Sequence, residues 1–564
     1  MRIFAFALAV LTMAACARQL APTGGPKDTT PPELVPEKST PNQSTRFAGR
    51  EINLSFNEWV TLQDAATQVL VSPPLAKKPE ITLKGKTVTL RFNKQDTLRA
   101  NTTYTINFGT AIKDLHEGNP AKDLRFVFST GDFIDSLSVA GVVNDAFTGE
   151  PLENMAVMLY DKMEDSIVRK ERPYYLARTD KNGQYAIPNV RAGTFKCVAI
   201  DDANQNLKWD GETERIGFPQ QAVPVSDSTR NVPAIRVFKP QPALRLLTKN
   251  TGRYGLIKLG FSRSPDSIPL SSDQAGLKWR KEIDKDTLIV WYDLSDSVAW
   301  KLLAGKDTVA VKALSRSSFV ATNRLFFADE APLIAATGRQ RGRPATAPAP
   351  GPAPVSPPKT VLINPRKPVV LPFNNPLVSV DTSRWLLLRD SLPLRNFKAI
   401  PDTVHPRQLR LLVDWTEGHT YRLTLLPGAL RDLYGGTNTD TLRRLFSLPS
   451  EKQFGSLNLN IKNLVSGQRY VLRLLDGNNL EEERFFRADS SSTRQVFARM
   501  QPATFTAVLI EDRNNNHEWD PGDYFGHRQA EPVFQRKLEA LRANWEVEAV
   551  LEANPTPAQR RKKE

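Results

Sequence analysis

Several residue types are scarce, and each scarcity narrows the reading. Of 564 residues, 2 are cysteine, Cys16 and Cys197. Cys197 lies in the apolar run Thr194-Phe195-Lys196-Cys197-Val198-Ala199-Ile200 with no histidine beside it. It reads as a buried, inert thiol, not as a nucleophile. Histidine is limited to His116, His405, His419, His517 and His527. His517 and His527 are close in sequence but lack companions such as H-E-x-x-H. There is no G-x-S-x-G, no P-loop and no dinucleotide fingerprint. The expectation is therefore that the chain is not an enzyme. After Met13 no apolar run reaches ~18 residues, so no transmembrane helix is expected in the body of the chain. Long helical periodicity is missing too, except near Val533 to Arg542.

What is present is globular in balance: 40% hydrophobic, 24% charged, net charge +15. Such a charge favours acidic partners. The basic residues are spread out, however, and the one dense run is Arg560-Arg561-Lys562-Lys563. No nucleic-acid-binding module appears, so nucleic acid is not an expected partner.

The N-terminus has its own logic. Met1-Arg2 is a minimal positive region, and Ile3 to Met13 is almost wholly apolar. That length suits a signal-peptide core and is too short to span a bilayer. Leu11-Thr12-Met13-Ala14-Ala15-Cys16 then resembles the lipobox of bacterial lipoproteins. The resemblance implies cleavage before Cys16, lipid on Cys16, and a membrane partner held through that lipid. Ala17-Arg18-Gln19 carry neither an Asp next to the cysteine nor an acidic cluster. By analogy this places the chain in the cell envelope, on the periplasmic face of an outer membrane. Residues 16–41, rich in Pro, Thr, Gly and Lys, read as a tether.

The body reads as strands. Period-2 alternation recurs in Glu51–Phe56, Lys86–Phe92 and Thr103–Phe108. Ile52-Asn53-Leu54-Ser55-Phe56-Asn57 returns as Val369-Val370-Leu371-Pro372-Phe373-Asn374. Asn101–Ile106 returns as Gly418–Leu423, and Ala111-Ile112-Lys113-Asp114-Leu115 returns as Ala429-Leu430-Arg431-Asp432-Leu433. The first copy resembles the bacterial Ig-like domain of SbsA-type surface proteins and of Bacteroidetes lipoproteins. The cues are Thr30-Pro31-Pro32, Phe56-Asn57-Glu58, Val71-Ser72-Pro73 and Ile112-Lys113-Asp114-Leu115…Asn119. A second module, with Thr179-Asp180-Lys181-Asn182-Gly183-Gln184-Tyr185 and Gly193-Thr194-Phe195, resembles the carboxypeptidase-regulatory and collagen-adhesin-B sandwich. Within it, Asn182-Gly183 reads as a hairpin turn.

The fold class expected is all-β: serial Ig-like and prealbumin-like β-sandwich domains. The divisions are 1–15 signal peptide, 16–41 lipidated tether and 42–132 Ig-like domain. A carboxypeptidase-regulatory-like sandwich at 137–239 and a β-rich domain at 241–335 follow. Then come 337–359, a Pro-rich linker, and 360–449, a diverged Ig-like domain. The chain ends with a second sandwich at 455–551 and a basic tail at 552–564.

One motif carries chemistry. Asp202-x-Asn204-x-Asn206 runs on to Trp209-Asp210-Gly211-Glu212. Asp512-x-Asn514-x-Asn516 runs on to Trp519-Asp520-Pro521-Gly522-Asp523. The spacing 1, 3, 5, 9 is the same in both and matches the oxygen-ligand order of EF-hand and dockerin calcium loops. Calcium at Asp202, Asn204, Asn206, Asp210 and at Asp512, Asn514, Asn516, Asp520 is one reading. The other is an Asx-rich turn that satisfies its own backbone. Leu207 and His517 stand where an EF-hand has Gly, and no flanking helices are expected. No other cofactor is indicated. Functionally the expectation is a lipid-anchored envelope scaffold whose partner is an envelope protein or a glycan. A polysaccharide-binding lipoprotein is the alternative, with the loop tryptophans and basic surface meeting sugar. Accessory domains of an envelope enzyme are a third.

Overall fold

The computed structural model describes residues 28–554, apart from 94, 96, 228–230, 267, 296 and 331–359. Cys16, the segments expected as signal peptide and Pro-rich linker, and residues 555–564 of the expected basic tail lie outside the described residues. The chain is all-β and forms two compact units. One comprises Met1–Ala146, Glu150–Lys239 and the segment Gly522–Gln529. The other comprises Phe147–Gly149, Pro240–Pro521 and Ala530–Glu564. Among the described residues no helix is long and apolar enough to cross a membrane.

The first unit opens with the Ig-like domain. Thr87–Arg91 lies between Glu51–Ser55 and Glu80–Lys84, and Thr103–Asn107 lies between Leu70–Ser72 and Arg125–Ser129. Period-2 alternation puts Ile52, Leu54, Val88, Leu90, Ile106 and Phe128 into one core. Part of the segment 16–41, expected as a tether, is packed on the domain. Val35 N–H donates to Ser55 O at 2.8 Å and Thr40 N–H to Asn53 O at 2.8 Å, so these residues lie along a strand edge. Asp114 organises the loop that follows it. Its carboxylate accepts the backbone N–H groups of His116 at 3.0 Å, Gly118 at 2.9 Å and Asn119 at 2.7 Å, together with that of Glu117. Burial pushes its pKa up, but these donors outweigh burial and bring it to about 2.

The sandwich of this unit runs Tyr175–Arg178, Ala156–Tyr160, Gly193–Ile200, Ile216–Gly217, Ile235–Phe238, Leu137–Asp145, Gln184–Val190 in spatial order. Cys197 is free and buried in its core, beside Tyr185. Burial pushes the thiol up to about 12, against the downward pull of a hydrogen bond with Tyr185, so it is not a nucleophile at neutral pH. The Asn182-Gly183 turn forms, with Gly183 N–H on Asp180 O at 2.9 Å and Gly183 at φ +69°. The expected hairpin ladder does not form. Gln184–Val190 pairs instead with Leu137–Asp145, and Tyr175–Arg178 pairs with Ala156–Tyr160. The turn therefore ends two arms that belong to opposite ends of the strand order.

The second unit repeats both plans. Val369–Pro372, Gln408–Val413 and Phe397–Pro401 reproduce the first Ig-like sheet. Trp385–Arg389, Thr420–Leu425 and Leu442–Ser447 reproduce the second. Asp432 takes the place of Asp114, accepting from Tyr434 N–H at 3.1 Å and Gly436 N–H at 2.8 Å. Residues 241–330 form a sheet of Leu246–Arg253, Leu256–Phe261, Thr287–Asp293 and Lys278–Asp284 beside one of Leu270–Ser272, Trp300–Ala304 and Asp307–Val311. In the C-terminal sandwich, Arg469–Asp476 and Phe505–Asp512 sit between Asn479–Arg487 and Val533–Lys537. The helical periodicity noted near Val533 is overruled. Val533–Lys537 is a strand that pairs with Phe505–Asp512, with Gln535 opposite Val508. An open sheet edge supplies backbone partners that an isolated short helix cannot match.

Candidate functional site

Each Asp/Asn loop starts where a buried central strand ends, Gly193–Ile200 in one unit and Phe505–Asp512 in the other. The strand fixes the first aspartate, and the backbone then curls around its carboxylate. Asp202 accepts Asn206 N–H on Oδ1 at 3.0 Å and Leu207 N–H on Oδ2 at 3.2 Å. Asp512 accepts Asn516 N–H at 3.2 Å and His517 N–H at 3.1 Å. Asn206 Oδ1 accepts Lys208 N–H at 2.7 Å, and Asn516 Oδ1 accepts Glu518 N–H at 2.8 Å. In both loops the two asparagine amides donate to the aspartate that follows. Asn204 and Asn206 reach Asp210 Oδ2 at 2.6 and 3.0 Å, and Asn514 and Asn516 reach Asp520 Oδ2 at 2.5 and 2.8 Å. All eight residues named from the spacing are thus gathered, four to a loop.

The missing glycine does not change the backbone. Leu207 has φ +60° and His517 φ +66°, with Gln205 at +57° and Asn515 at +61° just before. A non-glycine residue in this region costs about 1–2 kcal/mol. Both loops carry that cost at the same two positions.

A third carboxylate closes each loop, and sequence spacing did not reveal it. Glu214 Oε2 accepts Asp210 N–H at 2.9 Å, and Glu531 Oε2 accepts Asp520 N–H at 3.0 Å. Glu212 and Asp523, the carboxylates adjacent in the motif, do not fill this role; Asp523 accepts Gly526 N–H at 3.1 Å within its own turn. The tryptophans turn inward. Trp209 Nε1 donates to Glu214 O at 3.2 Å and Trp519 Nε1 to Glu531 O at 3.0 Å. Trp209 is 4% exposed and packs edge-on to Tyr524 at 5.4 Å. It plugs the loop base and offers no platform to a sugar.

Electrostatically the loops collect negative charge. Burial raises the pKa of Glu214, and Asp210, Asp202 and Asp201 add to the shift. Burial likewise raises Glu531, with Asp520 and Asp512 adding. Asp202 is raised by burial against the pull of its N–H donors and Arg178. Arg178 Nη2 lies 3.9 Å from Asp202 Oδ2. In the second loop Arg513 is paired with Glu511 at 3.0 Å, and Arg473 is paired with Glu483 at 2.7 Å and donates to His517 O at 3.3 Å. Among the described residues no group of three or more His, Cys, Asp or Glu side chains is arranged to hold a metal ion. A cation here would depend on amide oxygens as well as carboxylates, and would have to displace the amide N–H donors from Asp210 and Asp520.

Structural likenesses are faint. The Bacillus cereus major pilin subunit BcpA is similar at 8% identity over 75% of this chain and 100% of its own, with TM-score 0.14. The S-layer protein rSbsC is similar at 10% identity over 84% and 65%, with TM-score 0.12. A Bacteroides ovatus protein, SGBP-B of a mixed-linkage glucan utilization locus, is similar at 9% identity over 64% and 87%, with TM-score 0.15. At these TM-scores none of the three bears on function. No curated protein matches. One module is identified from its sequence: residues 28–130 match the bacterial Ig-like domain.

Proposed function

We propose that the chain is a lipid-anchored envelope scaffold in which paired Ig-like and sandwich domains hold loops at a distance from a membrane. The observation that carries this reading is the duplication. An Ig-like plan and a sandwich plan each occur in both units, and each sandwich ends its central strand in the same Asp/Asn loop. Repetition of a rigid plan builds length and presents surfaces; it adds nothing to a single reaction centre. Lipid on Cys16 would fix one end, on the periplasmic face of an outer membrane. Calcium would bind the loops as a stiffener: the hard carboxylates of Asp202, Asp210 and Glu214, or of Asp512, Asp520 and Glu531, fit it, with asparagine carbonyls completing the set. Mass spectrometry of the mature N-terminus tests the anchor. A diacylglyceryl mass on Cys16 is expected, and an unmodified Cys16 or cleavage elsewhere would sink the reading.

The carbohydrate-binding alternative keeps one observation in its favour. Trp209 is buried and Trp519 half-buried, but the first unit contains a large cleft whose walls carry amide and charged side chains.

A further inference from the structure

Two adjoining hollows of 660 and 760 Å³ open between the Ig-like domain and the sandwich of the first unit. They share Leu70, Asn107, Ala177, Arg178, Asp180 and Ala186 in their walls, so they form one cleft with a waist. The walls are clamped together. Leu176 N–H donates to Ser72 Oγ at 3.1 Å, Thr105 Oγ1 donates to Asn189 Oδ1 at 3.1 Å, and Arg172 Nη1 donates to Ala76 O at 2.8 Å. A cleft held this way is ready-made, and domain junctions are a common place for ligand sites.

Its lining has a consistent chemistry. Asn107, Gln184 and Asn231 supply amides, Arg125 and Arg178 guanidinium groups, and Asp180 a carboxylate. Amides donate and accept at once, as sugar hydroxyls do. Arg178 already spends donors on Asn154 O at 3.0 Å and Asn154 Oδ1 at 3.2 Å, and it faces Asp202. Part of its positive charge is therefore neutralised from behind, and the Asp180 carboxylate in the same wall offsets Arg125, so the lining has no strong demand for an anionic ligand. The floor is a strip of small side chains. Val139 and Val143 point into the core, so Ala140 and Val142 point out, and Ala186 lies opposite Ala140 on the neighbouring strand. Such a strip accepts the C–H face of a ring and offers no deep apolar socket for a peptide side chain.

We propose that this cleft binds an uncharged oligosaccharide, threaded across the strip formed by Ala140, Val142 and Ala186. The proposal rests on the carbohydrate-binding alternative and is independent of the lipid anchor. The test uses the full chain on an array of neutral gluco-, manno- and xylo-oligosaccharides, uronic-acid oligosaccharides and unstructured peptides. Calorimetry with the best neutral hexasaccharide follows. Neutral oligosaccharides are expected to bind, and Ala186→Trp, which fills the strip from an exposed position, should abolish binding while leaving the melting temperature unchanged. Gln184→Ala should weaken binding by about tenfold through one lost hydrogen-bonding group. The proposal fails if no neutral oligosaccharide binds, if Ala186→Trp binds as well as the parent, or if uronic acids or peptides are preferred. Any of these failures leaves the scaffold reading standing, because that reading is decided by the N-terminal mass.

Discussion

The two Asp/Asn loops share geometry but not electrostatic surroundings, and that difference predicts unequal calcium affinities. Arg178 Nη2 is 3.9 Å from Asp202 Oδ2. Calcium binds carboxylate oxygen at about 2.4 Å. An ion on Asp202 would then sit no more than about 6 Å from the guanidinium. A double charge facing a single one at that distance is repelled by about 5.5 kcal/mol at an effective dielectric of about 20, and by about 1.4 kcal/mol in bulk water. Even the lower figure is about tenfold in affinity. The cations of the second loop, Arg473 and Arg513, are paired with Glu483 and Glu511. The loop at Asp512 should therefore bind calcium at least about tenfold more tightly than the loop at Asp202. Calorimetry on the full chain at pH 7 should resolve two classes of site, and Asp512→Asn should remove the tighter one. Arg178→Gln should tighten the weaker one. At calcium about 100 times the dissociation constant, a loop gains about 2.7 kcal/mol. For a sandwich of about 100 residues this is roughly 10–20 °C in Tm. The pH dependence follows from Glu214 and Glu531, whose pKa values burial raises above the ordinary 4.5. Protons compete with calcium for those carboxylates, so its effect should shrink as pH falls toward their raised pKa values and be lost below the ordinary 4.5. No heat and no Tm change in millimolar calcium would refute calcium binding. Equal affinities at both loops in the parent and in Arg178→Gln would refute the electrostatic argument.

Other outcomes follow from the same geometry. Leu207→Gly removes a left-handed non-glycine residue but loosens the unfolded chain, so a net gain of about 0.5–1 kcal/mol is expected in urea unfolding; a loss would show that the Leu207 side chain matters more than its backbone. Asp114 is held near 2 against an ordinary 3.8, so its stabilisation is complete above the ordinary value and is lost as pH falls from there toward 2. An acid titration should show the Ig-like domain weakening across that window, and Asp114→Asn should flatten the slope; an unchanged slope would contradict the assignment. Trp209→Ala should cost about 3–5 kcal/mol as a buried plug, whereas Trp59→Ala, at a position 55% exposed, should cost far less; similar Tm losses for both would show that Trp209 is not a core residue.

Much of this was legible in the chain. Period-2 alternation identifies Glu51–Ser55, Thr87–Arg91 and Thr103–Asn107 as strands, because a strand with one buried face must alternate. The Asp/Asn spacing located both loops, because a carboxylate that accepts N–H groups four and five residues on is a local device written in adjacent positions. Three things waited for the tertiary structure. Glu214 and Glu531 close their loops from four and eleven residues beyond Asp210 and Asp520, and intervening turns of different length erase any common spacing. The arms of the Asn182-Gly183 turn chose other partners, since register energies summed over the long strand Leu137–Asp145 outweigh what a tight turn prefers. The cleft of the first unit belongs to no motif. It exists because Ser72 and Thr105 hydrogen-bond across to Leu176 and Asn189, contacts between residues that only folding brings together.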